Sequence, residues 1–144
     1  MSDRIIVGTD GSDTAKQAVE EAVRLAKALG AELHVVTGSK ALRTAHVVGA
    51  AEGAKQVYGS MHEAVPQAAV DEAVAAGRIA GVDSRPHVVD DDGAEALLTV
   101  ANEIDATMIV VGSKGMTGGR RLLGSVPNTI SHQANCNVLI VATK

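Results

Sequence analysis

The sequence predicts an α/β fold, a doubly wound five-stranded parallel sheet with helices on both faces. Three observations support it: short β-branched runs recur along the chain, helical patterns separate them, and most of these runs are apolar almost throughout. Strands that alternate with helices favour right-handed crossovers and therefore a parallel sheet. The 144 residues are about the length of one domain, so we expect a single domain over 1–144.

The first strand and helix carry clear signals. The five strands are predicted, in chain order, at residues 4–9, 32–37, 84–89, 107–111 and 138–142. After the first strand, Ser12 is placed to begin a helix whose apolar residues recur at alternating spacings of three and four. Gly30 is expected to end that helix in a left-handed conformation.

The later helices have weaker signals. Asp92 and Glu95 have the spacing of a capping box and predict a third helix, and a fourth is expected to begin near Ser125. The second helix is predicted over 65–80, with Pro66 in its first turn, where no amide partner would be lost. Residues 39–64 lack clean periodicity, and we interpret them as a long, partly mobile excursion after the second strand.

Composition excludes several classes of partner. The formal charge of −4 argues against a non-specific nucleic-acid binder or a membrane-surface binder, since both depend on clustered positive charge. The single cysteine, Cys136, excludes an intramolecular disulfide and a cysteine-rich metal site. We find no apolar run of spanning length and no signal-peptide layout. These features predict a soluble, cytoplasmic protein with no nucleic-acid or membrane partner.

The stretch VGSKGMTGGRRLLGSV, residues 111–126, combines glycines, cations and hydroxyls after the most hydrophobic predicted strand. In an open parallel sheet the ligand crevice lies at the carboxyl ends of the strands where the winding direction reverses. We expect that reversal beside the first strand. If the fourth strand is its neighbour there, Asp10 and Gly112 line one cleft.

This glycine loop, defined as residues 112–125, has features of a phosphate-binding loop. Gly112 and Gly115 remove side chains where a ligand would approach the backbone. Ser125 stands at a helix-cap position with Pro127 in the first turn, where the helix dipole favours an anion. Further positive charge comes from Lys114, Arg120 and Arg121. The alternative is that these residues serve only as loop and cap. Neither G-x-G-x-x-G nor G-x-x-x-x-G-K-[ST] is present in the chain.

Three segments resemble the universal stress protein family: IIVGTDGSDTAKQAVEEAVRLAKALGAELHVV, AEALLTVANEIDATMIVVGSKG and LLGSVPNTISHQANCNVLIV. The resemblance covers nearly the whole chain and least of all residues 39–64. It implies the strand order 3-2-1-4-5, a dimer, and ATP binding through a G-x₂-G-x₉-G-[ST] motif. Here Gly112 and Gly115 are followed by only eight residues before Gly124 and Ser125, so the motif is one residue short.

By that resemblance each end of the site receives a role. Gly112 would meet the ribose, Gly115, Gly124 and Ser125 would hold phosphates, and Thr9 and Asp10 would lie near the adenine and ribose. Gly38 falls where the family often has an apolar residue against the adenine. The predicted nucleotide-binding residues are Thr9, Asp10, Gly38, Val111, Gly112, Ser113, Lys114, Gly115, Gly124, Ser125 and Val126.

Catalytic and metal sites have little support in the sequence. A phosphoacceptor receiver domain needs an acidic Mg²⁺ cluster and a lysine at the last strand, but the only lysine there is the terminal Lys144. Ser113 and Ser125 lack a recognisable base, and the histidines lack metal-ligand spacing. His34 and His87 are interpreted as locally satisfied strand residues, His132 as solvent-facing, and Cys136 as a small core residue.

The sequence therefore predicts a stress-response regulatory protein that binds an adenine nucleotide with little or no turnover. ATP is the first candidate ligand, with or without Mg²⁺, and AMP and cyclic AMP are alternatives. Other hypotheses are a slow ATPase or phosphotransfer enzyme and a nucleotide-free interaction module. If the last strand, residues 138–142, lies at the sheet edge, its unpaired backbone groups favour a homodimer.

Overall fold

The computed structural model describes residues 2–39, 52–113 and 125–143, with residues 52–65 as backbone alone. The strands are β1 Arg4–Gly8, β2 Glu32–Gly38, β3 Ser84–Val89, β4 Met108–Gly112 and β5 Asn137–Val141. The helices are α1 Asp13–Leu29, α2 Glu52–Ile79, α3 Gly93–Ile104 and α4 Ser125–Gln133. All five strands lie within one residue of their predicted bounds. No helix in the described ranges is both long enough and apolar enough to cross a membrane.

All strand pairs are parallel, in the order β3-β2-β1-β4-β5, so the predicted doubly wound architecture is confirmed. The central strand β1 pairs with β2 on one side, where Ile6 is opposite His34, and with β4 on the other, where Ile6 is opposite Ile109. The chain winds from β1 towards β3, then crosses back to β4 and β5. The winding reversal therefore lies beside β1, as the sequence predicts.

The core is divided by the sheet into two apolar layers. Ile5, Val7 and Leu33 face α1 and α2, whereas their neighbours Ile6 and Val36 face α3 and α4. This alternation follows from the two-residue period of a strand. Each fully buried Val, Leu or Ile side chain contributes about 1.5–3 kcal/mol. Because the chain has no Phe or Trp, alanines on the helices allow a close approach to the sheet.

The second helix differs most from the prediction. It spans Glu52–Ile79 rather than 65–80, and Pro66 lies inside the helix, not in its first turn. The interpretation of residues 52–64 as an irregular excursion is therefore wrong, and residues 40–51 lie outside the described part of the chain. In the second half, Val70 and Val74 pack on the sheet. Apolar periodicity in a sequence indicates a helix face that packs against a core, not helical backbone as such. The first half of α2 lacks this periodicity and was therefore not predicted as a helix.

The cap predictions are largely confirmed. Ser12 Oγ accepts a hydrogen bond from the Ala15 amide at 3.2 Å, and Gly30 has a left-handed φ of 65°. At α3, Asp92 Oδ1 accepts from the Glu95 amide at 2.8 Å. The Asp92 amide donates instead to its neighbour Asp91, at 2.8 Å, so Glu95 does not complete the capping box.

Candidate functional site

The loop after β1 is folded by its own side chains. Thr9 is buried, and its Oγ1 accepts a hydrogen bond from the Gly11 amide at 3.1 Å. Oδ1 of Asp10 accepts from the Ser12 amide at 2.9 Å, and Gly11 adopts a φ of +82°. Asp10 is thus fixed in a tight turn at the winding reversal. A carboxylate has about four acceptor positions, so this turn bond is compatible with a ligand contact.

The loop after β4 begins at Gly112, a position where a side chain would be crowded. A Cβ on Gly112 would lie 3.1 Å from Cγ2 of Thr143 and 3.7 Å from the Thr14 carbonyl oxygen in α1. Val111, the residue before it, is only 3% exposed, so its side chain belongs to the core. A ligand contact from Val111 would have to use its peptide group. Gly112 therefore has a packing requirement independent of any ligand.

Ser113 joins the ends of β4 and β5. Its amide donates to the Val141 carbonyl at 2.9 Å, and its Oγ accepts from the Thr143 amide at 3.1 Å. The two hydroxyls lie 3.3 Å apart, and Ser113 is 6% exposed. Sequence reasoning missed Thr143. The signal was available, because the two hydroxyl residues lie within two residues of the ends of neighbouring parallel strands, which finish at the same sheet edge.

Gly38 is required by backbone packing at the end of β2. A Cβ there would lie 2.6 Å from the Asp91 carbonyl oxygen and 2.7 Å from that of Asp92. The Ser39 amide also donates to the Val89 carbonyl at 3.0 Å. The loop between β3 and α3 is thus held directly against the end of β2. This packing explains a glycine where the family often has an apolar side chain.

The start of α4 lies at the same end of the molecule. Ser125 is the first helical residue and is exposed, while Val126 packs into the core layer beneath α3. Its Cγ2 would lie 3.3 Å from a Cβ on Gly93, the first residue of α3. The helices connect parallel strands and so run against them, which directs the positive ends of their dipoles towards the carboxyl edge of the sheet.

The phosphate end of the predicted site falls on residues outside the described part of the chain. Lys114, Gly115 and Gly124, together with Arg120 and Arg121, lie outside the described residues. Their roles remain predictions. Thr9, Asp10, Gly112 and Ser113 are brought together at the winding reversal, and Gly38 lies one strand further along the same edge. The described residues contain no group of three His, Cys, Asp or Glu side chains able to hold a metal ion.

The remaining polar residues singled out by the sequence lie elsewhere. Burial raises the pKa of the Cys136 thiol, which is half-buried beside the core layer of α3 and α4. That environment supports its interpretation as a core residue, because a raised pKa disfavours the thiolate. His132 is exposed on α4, as predicted. His34 and His87 contact each other in the sheet, 2.9 Å apart between ring nitrogens.

A doubly wound α/β domain whose loops converge at the winding reversal belongs to the class of folds that bind ligands at the carboxyl edge of the sheet. The family model described as "Universal stress protein family" matches residues 1–142. The chain belongs to the universal stress protein family. The resemblance seen in the sequence is thereby confirmed.

Relatives in this family are similar over nearly the full length of the chain. Universal stress protein Rv1636 of Mycobacterium tuberculosis H37Rv is 36% identical over 152 residues, covering 96% of this chain and 95% of the relative. A universal stress protein solved in complex with cAMP is 30% identical, with a TM-score of 0.75 and coverage of 99% and 98%. An Archaeoglobus fulgidus universal stress protein in complex with dAMP, 18% identical with a TM-score of 0.71 over 98% of both chains, shares the fold.

Proposed function

We propose that this chain binds an adenine nucleotide at the carboxyl ends of β1 and β4 and acts as a stress-response regulator with little or no turnover. The observation that carries the proposal is the convergence of Asp10, Gly112 and the start of α4 at the winding reversal. The relative solved with cAMP supports it, because its fold matches this chain over almost its whole length at 30% identity.

The adenine and ribose are assigned to the Thr9–Asp10 side and the phosphates to the glycine loop. Asp10 presents a half-buried carboxylate that its turn bond to the Ser12 amide holds in place. The start of α4 adds the positive end of a helix dipole for the phosphate. ATP is the first candidate because of the glycine motif. The one-residue-short spacing and the cAMP-bound relative make cAMP the direct competitor.

The first test uses the protein as purified. With a single tyrosine and no tryptophan, the chain absorbs weakly, so a bound adenine stands out in the ultraviolet spectrum. Mass spectrometry of the denatured extract then names the ligand, and calorimetric titration with ATP, AMP and cAMP ranks the three. We expect a stoichiometric adenine nucleotide or saturable binding of one of them. An empty extract and no binding of any would favour a nucleotide-free interaction module.

Variants at Asp10 separate its turn role from a ligand role. Asp10→Ala removes both the turn acceptor and the charge, whereas Asp10→Asn keeps an oxygen for the Ser12 amide. Asp13→Asn is the matched control, since Asp13 is an exposed first-turn residue of α1. We expect Asp10→Ala to abolish binding, with Asp13→Asn near wild type. Loss with Asp10→Ala but not Asp10→Asn assigns the turn, and unchanged binding by both contradicts the assignment.

Gly115→Val tests the phosphate end, and it should abolish binding while the protein stays folded. The same variant distinguishes the enzyme hypothesis. A slow ATPase would release phosphate in an Mg²⁺-dependent reaction that disappears with Gly115→Val. Under the regulatory hypothesis, the unaltered protein binds nucleotide without appreciable phosphate release.

The partner we propose is a second copy of the chain, paired through β5. Both β3 and β5 are edge strands, but they differ in composition. The β3 strand contains Pro86 and Arg85, which discourage strand addition, whereas β5, NVLIV, has neither proline nor charge. An antiparallel pairing of two β5 strands would give a two-fold dimer.

Sedimentation tests this pairing. Asn137→Lys places a cation at the exposed start of β5, and Val88→Lys makes the equivalent change on the opposite edge. We expect a dimer that Asn137→Lys weakens and Val88→Lys leaves intact. A monomeric wild-type protein, or a dimer sensitive only to Val88→Lys, would contradict the β5 assignment.

A further inference from the structure

A buried histidine of β2 contacts a half-buried histidine of the edge strand β3. Nδ1 of His34 lies 2.9 Å from Nε2 of His87, and the ring centroids are 5.1 Å apart. Strand register places His34 opposite Arg85 and His87 opposite Val36, so the pair crosses the two strands diagonally. Val36 packs with α3, and His34 is two residues away on the same face. His34 is only 4% exposed.

The position of the Glu32 carboxylate beside Nε2 of His34 favours one arrangement of protons in the neutral pair. With Nε2 of His87 as donor, Nδ1 of His34 accepts the bond. The proton of His34 then sits on Nε2, facing Oε2 of Glu32 at 3.5 Å. That contact is long, and within the described ranges Nε2 of His34 has no hydrogen-bond partner. The hydrogen bond between the rings therefore satisfies Nδ1 of His34 and Nε2 of His87. Nε2 of His34 is buried with no such bond from the described residues, which is unfavourable.

Protonation disrupts this arrangement. If both imidazoles are charged, two N–H donors and two positive charges face each other across 2.9 Å. Burial lowers the pKa of His34, and burial together with the charge of His34 lowers the pKa of His87. The protein therefore favours the neutral pair.

The surrounding carboxylates only partly oppose that effect at His34. Glu32 of β2 and Asp83, just before β3, raise the pKa of His34, while Arg85 lowers it. Glu32 is already shared, with Arg4 Nε at 3.5 Å and Arg85 Nη2 at 3.1 Å. The Glu32 carboxylate therefore does not act on His34 alone.

The groups around His87 act in the same balance. Glu103 of α3 raises the pKa of His87, and Arg85 lowers it. On the other face of β3, Arg78 of α2 donates to the Ser84 carbonyl at 3.2 Å. The net direction for both histidines remains downward because desolvation is the largest contribution.

We propose that the His34–His87 pair is a proton-sensitive latch that holds the edge strand β3 to β2 and loosens in mildly acidic solution. Because the pKa of each histidine is lower in the folded protein, the unfolded chain binds protons more readily. The stability from the neutral pair is present above the ordinary histidine pKa of about 6.5 and is lost as the pH falls towards the lower folded value. Among the strands that the structure describes, only β2 pairs with β3, so β3 can loosen first.

Loosening of β3 would also affect the carboxyl ends of the strands, where the candidate site lies. The strand leads directly into Asp91 and Asp92, whose carbonyl oxygens pack against Gly38. A fall in pH would therefore also loosen the packing of Asp91 and Asp92 against Gly38, beside the candidate site. This consequence adds a regulatory input, but the latch itself does not depend on nucleotide binding.

Amide hydrogen exchange tests the latch on the unaltered protein. Between about pH 7.5 and about pH 5, after correction for intrinsic rates, protection in β3 should fall, with an upper limit of roughly tenfold for each unit by which the folded pKa of either histidine lies below its ordinary value. The amides of β1 and β4 should keep their protection. Equal pH responses in β3 and β4 would overturn the proposal.

Variants show whether these histidines cause the response. His34→Gln with His87→Gln should remove the pH dependence of β3 protection, and His132→Gln, an exposed histidine of α4, should leave it unchanged. If the double variant does not fold, the imidazole NMR titration of the unaltered protein decides. Titration of His34 and His87 below the ordinary range supports the latch, and titration at or above that range refutes it.

Discussion

The two ends of the sheet satisfy their polar groups in different ways. At the amino end, the main polar contacts join charged side chains: Glu32 contacts Arg4 and Arg85. Arg4 Nη1 also donates to the Ile104 carbonyl at 2.8 Å. At the carboxyl end, the side chains of Thr9, Asp10 and Ser113 bind backbone amides. At the amino end, oppositely charged side chains form ion pairs with one another. At the carboxyl end, polar side chains instead fix the conformation of the loops, at the edge of the sheet that faces the positive ends of the helix dipoles.

The comparison has a consequence for how each end should respond to change. Bonds between buried side chains and backbone depend on shape and cannot be replaced by water without cost. Exposed ion pairs contribute little and are weakened by salt. Substitutions at the carboxyl end should therefore be costly and insensitive to salt, and those at the amino end milder and salt-dependent.

Gly38→Ala should have the largest effect on folding. Its new Cβ would lie within 2.6–2.7 Å of the carbonyl oxygens of Asp91 and Asp92, so backbone must move. We expect a loss of about 3 kcal/mol in the free energy of unfolding, the upper part of the usual range for overpacking. Chemical denaturation measures it. Gly93→Ala is the control, because among the described residues its Cβ would meet only the Val126 side chain, at 3.3 Å. A loss as large there would contradict the steric account.

Ser113→Ala should have an intermediate effect. It leaves the partly buried Thr143 amide without its Oγ acceptor. The expected loss is about 1–2 kcal/mol, the cost of a donor left without its partner, and it should be the same at low and high salt. Ser131→Ala, on the exposed side of α4, should change the stability by less than about 0.5 kcal/mol. Similar losses for both variants would argue against a structural junction at Ser113.

Glu32→Gln should have the smallest effect and the clearest salt dependence. The substitution weakens contacts with Arg4, Arg85 and His34 at once, but this network is partly exposed. We expect a loss of about 1 kcal/mol at low ionic strength that shrinks as salt is added. The pKa of His34 should also fall further, because a carboxylate that raises it is removed. A loss that salt does not reduce would contradict the distinction between the two ends.

Most of the fold could be predicted because its signals are local. Five β-branched runs, the cap at Ser12 and the stop at Gly30 each have a chemical reason that acts within a few residues. The first half of α2 could not be predicted, since it lacks an apolar repeat and precedes a proline. The need for glycine at position 38 also could not be predicted, because it arises from contact with a segment distant in sequence, the backbone of Asp91 and Asp92.

The candidate site was partly predictable for the same reason. Asp10 and Gly112 follow neighbouring parallel strands, so topology alone brings them together. The Ser113–Thr143 junction and the His34–His87 pair needed strand register, which links residues 30 and 53 positions apart. That register depends on how the strands pair in the folded sheet, so it could not be read from local sequence patterns.

The measurement that tests the nucleotide assignment most directly is an amide NMR titration with cAMP, ATP and AMP in turn. Binding at the proposed site should shift the amides of Thr9–Ser12, Gly112 and Ser113, while those of Arg4, Glu32 and Arg85 stay in place. Shifts confined to the amino end, or no shifts with any of the three nucleotides, would contradict the assignment.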